Sequence, residues 1–266
     1  MKTIRRVAAT VVLVLAAAAV WPGAISGASY DRQFRELPNA PISRQFPLGT
    51  DDLGRDRLSR LLYGTRVSLL AAPVAALLSV LLAALVGGLA GFLGGWFDRA
   101  AVAAIDLMLS LPWLFLLIMV RAMLPLNLPA MSSVLVTFGL IGLLGWPSAA
   151  RVVRAGCRAL QSSDMVVEAR ACGLSEGRIL AKHVLPHLLP VLRAQFRSSI
   201  PIFILAEANL GLLGLGVADP LPSWGNLLRP LESGLVPDAA AWAPLVLMLV
   251  VVSCLYLTQK SEVVVR

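Results

Sequence analysis

The stretch FPLGTDDLGRDRLSRLLYGTRVSLL, residues 46–70, decides how the whole chain reads. Its first part is rich in turn formers and charge, with Gly49, Asp51, Asp52, Gly54, Arg55 and Asp56 close together. Its last part opens an apolar run over residues 67–92. A helix needs about 17–25 mostly apolar residues to cross a bilayer, so the junction reads as the place where polar chain enters a membrane. Asp56, Arg57 and Arg60 stand at helical neighbour spacing, which lets aspartates and arginines brace the helix end as a network. Surface ion pairs are individually weak, and contact with a partner is the other use of the same residues.

Working outward, the 266-residue chain is 58% hydrophobic and only 14% charged. That is too apolar for an ordinary soluble domain. Six candidate spans follow, near residues 8–25, 67–92, 107–124, 131–150, 190–212 and 241–258. Arg121 interrupts the third, and Arg193, Arg197 and Glu207 interrupt the fifth. Pro73, Pro112, Pro147 and Pro201 fall in or beside spans, where neighbouring helices can satisfy the freed backbone groups. The expected fold is an all-α membrane protein of about six transmembrane helices. Its segments are a first helix over residues 1–28, an extracytoplasmic segment over 29–66, a transmembrane domain over 67–258 and a cytoplasmic tail over 259–266.

The net charge of +8 is placed for a membrane, and no nucleic-acid partner is expected. Lys2, Arg5 and Arg6 precede the first span. Arg151, Arg154, Arg158, Arg170, Arg178, Lys182, Arg193 and Arg197 lie between the fourth and fifth, Arg99 between the second and third, and Lys260 and Arg266 after the sixth. With both termini cytoplasmic, these residues all lie inside, as the positive-inside bias requires. The first outer segment is the exception, but its seven arginines are nearly balanced by five acids. MKTIRR followed by apolar and small residues through Ala28 also fits a cleavable signal peptide; a retained span is the favoured reading.

Cys157, Cys172 and Cys254 form no disulfide or metal pattern. His183 and His187 are four apart with Pro186 between them, and without the HExxH glutamate they make no zinc motif. No GxxxxGK[ST] phosphate loop and no nucleophile–base pair is present, so an enzyme is not expected and the chain cannot energise transport by itself.

Residues 162–190, SSDMVVEARACGLSEGRILAKHVLPHLLP, lie between spans four and five. Asp164 is a candidate cap for a short helix with Val166, Val167 and Ala171 along its apolar side, and Gly173 a candidate left-handed stop. Ser175 then caps a second short helix lined by Ile179, Leu180 and Val184, and Pro186 is expected to end it. The plainer reading is a basic, solvated loop with two turns of helix.

Three stretches together resemble one family, the inner-membrane permease subunits (C-type) of ABC importers for dipeptides, oligopeptides or nickel. Gly49-Thr50-Asp51-Asp52-Leu53-Gly54-Arg55-Asp56 is similar to the family's GTDDLGRD. EANLGLLGLG and DPLPSWGNLL, within residues 207–228, are similar to its EASLSFLGLG and PPTPSWGNML. Gly173, Leu185 and Pro186 hold the spacing of its EAA loop, and His183-Val184-Leu185-Pro186 resembles its HILP ending. Aligned on Gly173, the family glutamate falls on Val167 and Glu168 takes the first alanine's place, while Ala169, Arg170 and Ala171 stay in register.

The resemblance implies a coupling loop over residues 162–188 that docks on separate ATP-binding subunits. It implies a complex with a homologous second permease, two ATP-binding subunits and an extracytoplasmic substrate-binding protein in a bacterial inner membrane. ATP and magnesium would be bound by the partners, and no cofactor or metal by this chain. Glu207 and Arg121 are candidates for the translocation path. For each there is a plainer use: Glu207 could bond neighbouring backbone, and Arg121 could snorkel to headgroups. Asp51, Asp52, Arg55, Asp56 and Trp224 would form the extracytoplasmic motif, with Trp224 suited to the membrane interface. Gly87, Gly91 and Gly95 repeat every four residues and permit close helix approach.

Overall fold

The computed structural model describes residues 2–231 and 239–259. Residues 260–266 of the expected tail, with Lys260 and Arg266, lie outside the described residues. The order of elements is α1 (Lys2–Val20), α2 (Pro22–Ser26), α3 (Arg57–Leu93), α4 (Gly95–Ser110), α5 (Trp113–Ala122), α6 (Ala130–Leu144), α7 (Trp146–Gln161), α8 (Asp164–Ala171) and α9 (Glu176–Ile179). A π-helical turn (Leu180–Val184), α10 (Leu185–Leu212), α11 (Trp224–Leu227), two 3-10 turns (Arg229–Leu231 and Ala239–Trp242) and α12 (Ala243–Gln259) complete it among the described residues. Among the described residues the extended structure is limited to two isolated bridges, in the segment between α2 and α3.

Five helices are long and apolar enough to span a bilayer, and a bent pair, α4 with α5, makes a sixth. The third span is therefore not the straight helix expected over residues 107–124. Its halves meet at 83°, because Leu111 is extended before Pro112 and Pro112 occupies the N-cap of α5. The second span starts at Arg57, ten residues before the apolar run. Asp56 caps it, accepting hydrogen bonds from the backbone N–H groups of Leu58 and Ser59. Pro73 and Pro201 stay inside their helices.

The ends of the helices sort cleanly to two sides. Ser59 Oγ donates to Ala28 O, joining the exit of α1 to the entry of α3. Gln161 Nε2 donates to Phe92 O at the far end of α3, the side on which Arg5 Nη2 also meets Thr258 O of α12. The first and last helices thus begin and end on the side that carries residues 162–184. Ser133, at the start of α6, accepts from Ala218 N on the opposite side, so the bent pair α4–α5 does carry the chain across.

Glycines form the seam at the centre. A Cβ on Gly87 would stand 2.3 Å from Ala150 O, and one on Gly91 2.6 Å from Arg154 O, so α3 and α7 touch backbone to backbone. Gly95 takes no part in this seam. It lies past the end of α3 at φ +60°, with open space around it.

Candidate functional site

The two sides of the bundle hold different chemistry. On the side of the α3 entry, the aspartates and arginines of residues 51–60 form a braced knot. Asp51 accepts from the backbone N–H of Arg55 at 2.8 Å and from Arg55 Nε at 2.6 Å. Arg55 and Arg60 both reach across to Asp219, at 3.5 and 3.1 Å. The GTDDLGRD and DPLPSWGNLL stretches are therefore one structure. Burial pushes the Asp56 carboxyl up from its ordinary range, against the pull of the Ser59 and Leu58 backbone N–H groups. Asp52 stays exposed beside this network.

One turn further into α3, Ser68 and Thr65 fasten residues 223–226 to the bundle. Ser223 and Asn226 form a reciprocal capping box that starts α11. This points Trp224 inward, where it is fully buried and its Nε1 donates to Thr65 Oγ1 at 3.1 Å. The expectation that Trp224 lies at a membrane interface is corrected on this point; its indole N–H finds a buried hydroxyl instead. Glu207, also fully buried, accepts at Oε2 from Ser68 Oγ and from Gly225 N, each at 3.3 Å. Its approach depends on two glycines: a Cβ on Gly211 would stand 2.3 Å from Gly225 C.

Arg121 is 1% exposed, with Nη1 on Pro125 O at 3.4 Å and no partner for Nε. It is turned into the protein, so the snorkelling expectation is corrected.

On the opposite side, α7 leads directly into the short helices of residues 162–188, termed the lever for the role that the resemblance implies. Ser163, not Asp164, occupies the N-cap position of α8, and its hydroxyl donates back to Leu160 O. Val166 and Ala169 form the buried side, joined by Ile179, Val184 and Leu188, against Phe92, Val153 and Cys157. Val167 and Ala171 face outward with Glu168 and Arg170, so the expected apolar side is rotated: burial follows the spacing of Val166 and Ala169. Gly173, at φ +77°, closes α8 with a pair of bonds, Gly173 N to Arg170 O and Leu174 N to Ala169 O. This is the Schellman pattern, for which glycine is the favoured residue.

Ser175 does precede α9, without a side-chain cap bond. Pro186 does not stop the helix. The π turn carries the chain onward, and Pro186 falls in the first turn of α10, where a missing N–H costs little. His183 is half-buried, while Leu185 and Pro186 are exposed.

A charged clamp between α4 and α7 was not singled out from the sequence. Arg154 grips Asp98 with both Nε and Nη2, the latter at 2.7 Å, and Arg158 adds a contact at 3.2 Å. Arg151 pairs with Asp106 one turn away. The signal was there: Arg151, Arg154 and Arg158 share one helical face, and Asp98 and Asp106 share another.

The family described as binding-protein-dependent transport system inner membrane component matches residues 79–261. A glutathione transport system permease protein of Pectobacterium atrosepticum is 32% identical over 248 residues, 91% of this chain and 79% of the relative. Its counterpart in Shigella flexneri serotype 5b is 35% identical over 232 residues, covering 85% and 74%. A protein of Brucella suis biovar 1 named as a peptide permease is 31% identical over 212 residues, covering 80% and 68%.

Proposed function

Because the chain belongs to the family of inner-membrane components of binding-protein-dependent transport systems, we propose that it forms half of the translocation path of an ATP-driven importer for peptides. Relatives named for peptide and glutathione transport support that substrate class. The other half would be a homologous permease. Two ATP-binding subunits carrying ATP and magnesium would dock on residues 162–188, and an extracytoplasmic binding protein would deliver substrate to the side of the Asp51–Asp219 knot. Both termini would then be cytoplasmic, on the lever's side.

The observation that carries this reading is the form of the lever. It is a short helix held by an apolar underside, stopped by Gly173, with Val167, Glu168, Arg170 and Ala171 turned away from the bundle. An ATPase closing on that face would push α8 and, through α7 and the Asp98 clamp, move α4 with it. Coupling is reciprocal, so a loaded binding protein would favour the ATP-closed state.

Native mass spectrometry of the complex, purified in mild detergent, tests the assembly. The expected mass contains a second permease and two ATPase copies; a lone chain, under conditions that preserve other importers, overturns it. Gly173→Trp tests the lever. Nothing lies within 4 Å of a Cβ there, so insertion should survive while uptake is lost. Full uptake by an inserted variant would refute the role of the loop.

A further inference from the structure

On the outside of the bundle, α3 and α6 leave a cavity of about 550 Å³ between them. Its walls are apolar along nearly their whole length, from Val67 past Leu70 and Val74 to Leu78, with Leu135 and Phe138 opposite. Val74 and Leu135 are 67% and 68% exposed, so the cavity opens sideways, toward the space a bilayer would fill. At its upper end stand Arg66 and the ring pair Tyr30–Tyr63, with centroids 4.9 Å apart.

The level of that end is set by the sequence. Arg66 is the last charged residue before an uncharged run that reaches Asp98. Two tyrosines and an arginine at the edge of an apolar run mark the headgroup zone. None of the ion pairs among the described residues takes the exposed Arg66 guanidinium.

Dimensions choose the occupant. From Arg66 to Leu78 the lining rises about 18 Å along α3, slightly more than half of a bilayer core of about 30 Å. An apolar slot of that length, closed at one end by an arginine and two tyrosines, matches one hydrocarbon chain and its headgroup. We propose that it is a binding site for an anionic phospholipid, one acyl chain lying between α3 and α6 and the phosphate held by Arg66. The inference rests on the membrane reading of the chain and not on what it transports.

Gly139 lines the slot, and a Cβ there meets nothing within 4 Å, so Gly139→Phe should fill it without disturbing the backbone. Arg66→Gln removes only the charge. The purified complex, stripped of lipid in detergent, is titrated with phosphatidylglycerol or phosphatidylcholine, and bound lipid is counted by native mass spectrometry. Gly139→Phe is expected to weaken retention of both lipids at least tenfold. Arg66→Gln is expected to abolish the preference for phosphatidylglycerol and leave phosphatidylcholine unchanged. Equal lipid retention by the wild type and both variants would overturn the site. So would efficient cross-linking of Val74→Cys to the second permease, which would make the slot part of a subunit interface.

Discussion

The two ends of the bundle are built on opposite principles. At the α3 entry, polar groups are spent on one another: Asp51, Arg55, Arg60 and Asp219 form one network, and Glu207 holds Ser68 and Gly225. At the lever end the underside of α8 is apolar and its charged side chains face outward. An end closed on itself resists movement, and an end whose outer face is solvent-exposed is ready to receive it. The contrast implies that a substitution at the knot acts mainly on stability, and one at the lever mainly on function.

The sharpest way to break the contrast is to compare glycines. Gly211→Val should be the most damaging change, because its side chain would be driven into the backbone of Gly225. Overpacking costs about 1–3 kcal/mol and more where backbone is in the way, and the expected readout is loss of a monodisperse peak in detergent. If Gly211→Val runs like the wild type, the knot is not rigid and the contrast fails.

Glu207→Leu comes next. It leaves the Gly225 N–H and the Ser68 hydroxyl without their acceptor, and each buried orphan costs about 1–3 kcal/mol. Glu207→Gln keeps an acceptor oxygen and should recover most of the loss, as a lower midpoint in thermal unfolding would show for the leucine variant alone. Uptake that collapses in the glutamine variant with stability intact would instead place Glu207 on the translocation path.

Asp56→Ala is expected to cost about 1 kcal/mol, the usual price of an N-cap, read as a small fall in unfolding midpoint. Its position explains part of what the sequence concealed. The apolar run begins at Val67, while the helix begins where Asp56 satisfies the first free N–H groups. Hydropathy also could not show the 83° bend at Pro112, because both halves remain apolar. The order of the spans, the stop at Gly173 and the seam at Gly87 and Gly91 were legible, since each depends on local spacing or on a single residue type. The fates of Trp224 and Arg121 were not. Trp224 is buried on a hydroxyl 159 residues away, and Arg121, whose carbonyl partner is four residues on, is covered by the packing around it; only the packed chain decides either. Pro186 misled for a related reason: a π turn ahead of it shifted the start of α10, so a residue expected to end a helix opens one.

Gly173→Ala sharpens the comparison from the other side. Its Cβ meets nothing within 4 Å, but its φ of +77° is left-handed, at a cost of roughly 1–2 kcal/mol. Gly173→Asn, which tolerates that region better, should lose less. A loss for Gly173→Ala as large as that of Gly211→Val would mean that the lever is packed as tightly as the knot.

Arg170→Ala should have the smallest effect on the chain and the most informative one on the complex. Arg170 binds Glu176 through Nε and Nη2 at 2.8 and 3.1 Å, and the Glu176 carboxylate raises the Arg170 guanidinium above its ordinary range. Both side chains are solvated, and exposed pairs of this kind add little to stability, so the unfolding midpoint should not move. What the pair does is hold the outer face of α8 in one arrangement against α9. If that face receives an ATPase, freeing it should weaken retention of the ATP-binding subunits at moderate salt. Arg170→Lys, which keeps the charge but not the forked geometry, should fall between the alanine variant and the wild type. An unfolding midpoint that drops in the alanine variant while the subunits stay bound would reverse the assignment, making the lever's outer face part of its support.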